Sequence, residues 1–162
     1  MIKRFWNWFT GKEEDELKFN YVQQEDPKGC MIAVAAMVTG TTYQEARKAI
    51  GYSEEGTSMT DVLPYCLKHN VYVGGLVISK GHGGIGPDGN LVDRVYIDIK
   101  ELFDSPLVVI TEEPDEEGDE RFHAMLWTGE QFYDPDNPDS DHLDVAFMHF
   151  SHIYVVHDLG KD

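Results

Sequence analysis

The sequence predicts an α+β fold, with a helical N-terminal half packed on a C-terminal antiparallel sheet. Three observations lead there. The run Met31-Ile32-Ala33-Val34-Ala35-Ala36-Met37-Val38 is apolar on every face, so as a helix it must be buried. Two further helical segments follow, with start signals at Thr42 and at Thr57-Ser58. From Val71 onward the pattern changes to short apolar or alternating runs separated by Gly, Pro, Asn and Asp. Helices first and strands later mark a domain whose helices gather on one sheet.

The elements follow in chain order. Met1-Ile2-Lys3-Arg4-Phe5-Trp6-Asn7-Trp8-Phe9 lacks the apolar core of a secretory signal. It suits either an interfacial helix or a segment packed on its own domain. The second is favoured, so membrane contact through the N-terminus is not expected. Lys12-Glu13-Glu14-Asp15-Glu16 reads as a solvated linker or helix start. Residues 1–18 are therefore assigned to an extension and 19–162 to a single domain. Gly29 allows a tight turn before a helix that starts at Cys30 and ends at Gly40. Thr42-Tyr43-Gln44-Glu45 has the capping-box spacing, opening a helix that stops near Ile50-Gly51. Ser58 or Thr57 caps a third helix, ending near His69-Asn70. Strands are expected at 71–78, 94–99, 107–111, 122–128, 131–133, 145–150 and 153–156. Gly81-His82-Gly83-Gly84-Ile85-Gly86 fits a dinucleotide fingerprint by letter, but Pro87-Asp88-Gly89-Asn90 follows where a helix would have to open. A loop is expected there, a candidate lid. Residues 112–120 read as an acidic loop ahead of His123, either solvated or touching a basic substrate.

Composition narrows the function classes. The 162 residues carry 13 Lys and Arg against 30 Asp and Glu, a formal charge of −17. A nucleic-acid surface is not expected, because phosphate contacts need cations. The acid excess gives solubility or steers a basic peptide or protein partner. No apolar run reaches transmembrane length, and a cytoplasmic location is expected. Two cysteines make no disulfide framework, and Cys66 falls among apolar neighbours as a core residue. No metal site is expected: Asp134, Asp136, Asn137, Asp139 and Asp141 lack the glycine and terminal glutamate of a calcium loop. His142, His149, His152 and His157 share no helical face.

The chemistry-bearing residues are Gln24, Cys30, His123 and Asp134. Cys30 opens the buried helix, where the helix N-terminus favours a thiolate. Gln24 stands six residues before it, with Gln23 as its rival. His123 begins the run His123-Ala124-Met125-Leu126-Trp127, and Asp134 follows in Phe132-Tyr133-Asp134-Pro135. A hairpin at Thr128-Gly129-Glu130-Gln131 brings the two together. With Thr128-Gly129 as the loop, His123 faces Asp134 directly; with Gly129-Glu130, the two are diagonal neighbours. Either register puts both side chains on one face. Asp136 is the rival to Asp134.

With Gly40-Thr41-Thr42-Tyr43-Gln44-Glu45-Ala46 and Gly56-Thr57-Ser58-Met59, these pieces resemble a papain-like cysteine peptidase of the bacteriocin-leader-processing (double-glycine) group, over most of residues 20–135. The resemblance implies a papain-like domain with the nucleophile on its buried helix. It implies Cys30 as nucleophile, His123 as base and later acid, Asp134 as the group that holds the imidazole, and Gln24 as oxyanion donor. No cofactor is implied, and the implied partner is a peptide or protein substrate. The chain differs from the group in placing Gly29 before the cysteine and Met31 after it. The leading expectation is hydrolysis of a peptide or isopeptide bond. The same residues suit deamidation or acyl transfer, and an inactive acidic binding module or inhibitor is a third reading.

Overall fold

The computed structural model describes residues 18–74, 84–85, 91–92, 105–114, 120–139 and 150–160. The N-terminal extension up to residue 17, the expected strand at 94–99, and His142 and His149 lie outside the described residues.

Helix α1 (Cys30–Thr39) is buried at every position from Met31 to Val38, as its all-round apolar sequence demands. Gly40 ends it with φ 68°, a left-handed conformation that glycine adopts without steric cost. Helix α2 (Tyr43–Ile50) opens on the expected capping box. The Glu45 N–H donates to Thr42 Oγ1 at 3.3 Å, and the Thr42 N–H donates to the Glu45 carboxylate at 2.9 Å. Helix α3 (Met59–Lys68) takes Ser58 as its cap, the Ser58 N–H donating to the Asp61 carboxylate at 2.8 Å. Cys66 lies on the buried face of α3.

The strands are β1 (Val71–Gly74), β2 (Gly84–Ile85), β3 (Leu91–Val92), β4 (Leu107–Pro114), β5 (Glu120–Trp127), β6 (Phe132–Tyr133) and β7 (Phe150–Asp158). Five form an antiparallel sheet in the order β1-β7-β4-β5-β6. Helix α1 packs on α2, α3 and β5. Its buried face meets Val108, Ala124, Leu126 and Val156 of the sheet in one cluster. Each buried Ile, Val or Met there contributes about 1.5–3 kcal/mol relative to exposure. The alternate sheet residues Leu107, Val109, Met125, Trp127 and Ile153 are buried as well. Among the described residues no helix is long and apolar enough to cross a membrane.

The structure corrects three sequence expectations. Gly84–Ile85 pairs with Leu91–Val92 as a small antiparallel ribbon, where a loop was expected. Ladder pairing with Leu91-Val92 there outweighs the low strand propensity of Gly84. Part of the expected acidic loop is strand, because β4 and β5 pair at Glu112↔Phe122, Glu113↔Arg121 and Pro114↔Glu120. Ladder pairing there overrides the low strand propensity of glutamate. The strand expected at 153–156 is longer, running from Phe150 to Asp158, while residues 145–149 of the strand expected before it lie outside the described residues. The pairing of β7 with β4 shifts between Ile110 and Thr111, a bulge that passes over Ser151. The Ser151 hydroxyl donates to the Ile110 carbonyl at 3.1 Å within that irregularity.

Candidate active site

Cys30 is the first residue of α1, and the Ala33 N–H closes the first turn on the Gly29 carbonyl at 3.0 Å. The turn before it is tied from within and from without. The Gly29 N–H donates to the Asp26 carbonyl at 3.0 Å. The Asp26 carboxylate accepts from the Tyr43 hydroxyl at 2.9 Å and from Arg47 Nε and Nη2 at 2.6 and 3.2 Å. The Arg47 bond comes first among the effects that hold the Asp26 carboxyl below its usual range. Arg47 also lies over the Tyr52 ring, 5.3 Å from its centroid. Gly29 is required for space: a Cβ there would lie 2.0 Å from the Tyr43 hydroxyl oxygen.

His123 lies on β5 opposite Thr111. Leu126 pairs with Tyr133 and Trp127 with Phe132, while the Thr128 N–H reaches the Gln131 carbonyl at 2.9 Å. The reversal is therefore Gly129-Glu130, with Gly129 at φ 103°. This is the diagonal register of the two expected. His123 Nε2 donates to Asp134 Oδ1 at 2.7 Å, both side chains largely buried. Asp134 Oδ1 also accepts the Asp136 N–H at 2.9 Å, and the Asn137 N–H reaches the Asp134 carbonyl at 3.2 Å. The Tyr21 hydroxyl donates to that same carbonyl at 3.0 Å. Asp134 thus takes the imidazole and Asp136 does not.

With Nε2 on the carboxylate, the other ring nitrogen is left for Cys30. Burial pushes the Cys30 thiol up, but the His123 hydrogen bond, the backbone N–H groups of Ala124 and Met31 and the imidazolium charge outweigh it, and the thiol lies below its ordinary value. Burial opposes charge on His123 too. Bonds to Asp134 and Cys30 overcome it and raise the imidazole to about 10. Asp134 is likewise pushed up by burial and pulled lower overall by His123. All three directions favour a thiolate–imidazolium pair. Cys66 goes the other way, raised by burial to about 11.

Gln24 lines the same cleft as Cys30 and His123, while Gln23 is exposed. The Gln24 N–H donates to the Pro135 carbonyl at 2.9 Å. Its side-chain nitrogen donates to Asp136 Oδ1 at 3.1 Å and approaches the Pro27 carbonyl at 3.5 Å. Among the described residues, its side-chain oxygen is buried without a hydrogen-bond partner, as is the Thr57 hydroxyl oxygen. The cleft has a volume of about 660 Å³, with Met31, Met59, Ile110, Phe122 and Tyr154 among its walls. Among the described residues no group of three or more His, Cys, Asp or Glu side chains is placed to hold a metal.

Sequence reasoning found the four residues that meet here but missed what holds them. Asp26, Tyr43 and Arg47 are up to 21 residues apart, and no local pattern links them. The one signal that could have pointed to the first of them is the turn chemistry of Asp26-Pro27-Lys28-Gly29, which the sequence reading took up only at Gly29. The hold of Asp136 on Gln24 spans 112 residues and leaves no trace in spacing.

No family model matches the chain, and no curated protein matches it. Among solved structures it is similar to the crystal structure of a double glycine motif protease from an AMS/PCAT transporter in complex with the leader peptide. The match covers 89% of this chain and 94% of the other, with a TM-score of 0.51 and 14% identity. At that identity the likeness is one of fold. The α+β arrangement of helices on an antiparallel sheet resembles that of this protease.

Proposed function

We propose that this protein is a cysteine-dependent hydrolase that cleaves a peptide or isopeptide bond. One observation carries the reading. A thiol at the start of a buried helix is held below its ordinary value by an imidazole whose far nitrogen is fixed on a carboxylate at 2.7 Å. That is the nucleophile–base–orienter relation of covalent acyl transfer.

In the proposed reaction the Cys30 thiolate attacks the substrate carbonyl carbon. The developing oxyanion takes the Cys30 backbone N–H and a Gln24 side-chain N–H. The C–N bond breaks, and the His123 imidazolium gives its proton to the leaving amine. Water then attacks the thioester, His123 accepts the water's proton, and the carboxylic acid leaves as Cys30 regains the thiolate. Asp134 keeps the imidazole oriented throughout and supports its positive charge.

The likeness to a protease bound to a leader peptide supports a peptide as the substrate. A cleft of about 660 Å³ suits an extended segment, and the −17 charge of the chain favours encounter with a basic one. The test is labelling by a peptide carrying a thiol-reactive electrophile, mapped by mass spectrometry on the native protein. Cys30 should be modified and Cys66 spared. Absence of modification at Cys30, or equal modification of both, would remove the hydrolase reading.

A further inference from the structure

We propose that Asp136 is a positioning residue for the oxyanion donor. By holding the Gln24 amide nitrogen, it makes that side chain offer a donor, not an acceptor, to the substrate carbonyl. The inference rests on the hydrolase reading above and deepens it.

An amide side chain has two ends of similar shape and opposite hydrogen-bonding character. An oxyanion site needs the nitrogen end, since an acceptor oxygen turned toward a developing oxyanion repels it. A carboxylate only accepts, so the 3.1 Å contact between Gln24 and Asp136 Oδ1 admits nitrogen alone. The other end of the amide does not set this orientation. Among the described residues, Gln24 Oε1 is buried and has no partner. Buried polar atoms are ordinarily paired, so an orphan oxygen marks an orientation imposed from the nitrogen side. The Pro27 carbonyl lies 3.5 Å from that nitrogen, at the outer limit of a hydrogen bond. The second N–H is therefore only loosely engaged, and it is the one left to a substrate while the first stays on Asp136.

The backbone fixes the reach. The Gln24 N–H donates to the Pro135 carbonyl at 2.9 Å, laying the segment before the nucleophile along the turn that follows β6. The Asp136 N–H is held by Asp134 Oδ1 at 2.9 Å. One turn, Asp134-Pro135-Asp136, thus orients the imidazole with its first side chain and the amide with its last.

Two reactions of Cys30 separate this role from a structural one. Iodoacetamide alkylates the thiolate at a saturated carbon and forms no oxyanion. p-Nitrophenyl acetate acylates it through a tetrahedral oxyanion, with nitrophenolate leaving. Loss of an oxyanion donor costs about 10²–10³ in rate, so loosening one should cost about tenfold. Asp136→Ala should slow acylation by about that factor and leave alkylation within about twofold. Asp136→Asn, which still presents an acceptor oxygen, should keep most of the acylation rate. In a Gln24→Ala background, Asp136→Ala should have no further effect on acylation. The proposal is overturned by an unchanged acylation rate in Asp136→Ala, by equal falls in both reactions, or by a fall that persists without Gln24. Wild-type protein that is not acylated at Cys30 would overturn the hydrolase reading, and this inference with it. An acylated wild type with an indifferent Asp136 would overturn the inference alone.

Discussion

At Cys30, burial and hydrogen bonding pull the thiol in opposite directions. Burial alone would leave a neutral, inert sulfhydryl, as it does at Cys66, where the thiol is raised to about 11. At Cys30 the His123 bond and the backbone N–H groups reverse the sign. Because the shift is downward, alkylation by iodoacetamide should rise with pH through a value below the ordinary thiol value of about 8.5. Cys66, shifted upward, should contribute only in strong alkali. A Cys30 rate still climbing through about 8.5, or matching that of Cys66, would contradict the thiolate. His123→Ala should abolish hydrolysis of a peptide or ester, since it removes the imidazole bonded to the Cys30 thiol. Asp134→Asn should be milder. An asparagine oxygen still accepts from both His123 Nε2 and the Asp136 N–H, and only the charge that supports the imidazolium is lost. Steady-state rates of the two variants on one substrate check the order, and an Asp134→Asn loss equal to that of His123→Ala would reverse it.

The elements show where local pattern sufficed and where it did not. Helix α1 was legible because eight consecutive buried residues leave no polar face to misread. The Thr42 capping box was legible because its two bonds lie three residues apart. The hairpin was legible in kind, and both of its registers kept His123 and Asp134 on one face, so the loop ambiguity did no harm. The β4–β5 extension through Glu112 and Glu113 was not legible, because glutamate reads as loop until a partner strand pairs with it. The clamp on the nucleophile turn was invisible for the same reason, since it is made of contacts between separate elements. That clamp has a measurable consequence. Gly29→Ala would set a methyl carbon 2.0 Å from the Tyr43 hydroxyl oxygen, so the turn or α2 must shift, at a cost of about 1–3 kcal/mol. Tyr43→Phe alone should cost about 1 kcal/mol for the lost bond to Asp26. Combined, the two should cost less than their sum, because the atom met by the new methyl has gone. Thermal or urea unfolding of the four proteins measures this, and strictly additive losses would show that the contact does not govern the turn.

The whole molecule makes the candidate site depend on its two layers staying together. Cys30 comes from the helical layer, while His123 and Asp134 come from the sheet and the turn beyond it. The layers are joined by one cluster, in which α1 packs against Ala124 and Leu126, the residues one and three beyond His123. Nothing local to Cys30 supplies its imidazole partner, so its lowered thiol pKa is a tertiary property. Cys66 is buried in the same cluster from α3 and reports the integrity of that layer directly. The two cysteines therefore make internal probes of one transition. In a urea titration near pH 6, Cys30 should lose its excess alkylation rate as its partner departs. Cys66 should gain accessibility as the core opens, though its rate stays that of an ordinary protonated thiol. Both changes should share one midpoint, the behaviour of a cooperative single domain. The measurement needs only pulsed alkylation and peptide mapping of the two sites. Should the Cys30 advantage vanish at clearly lower urea than Cys66 exposure, the cleft would be opening as its own unit, with α1 and β5 parting while the helices stay packed. A single midpoint would instead mean that the lowered thiol pKa persists for as long as the fold does, because the contacts that hold the core are the same ones that hold His123 beside Cys30.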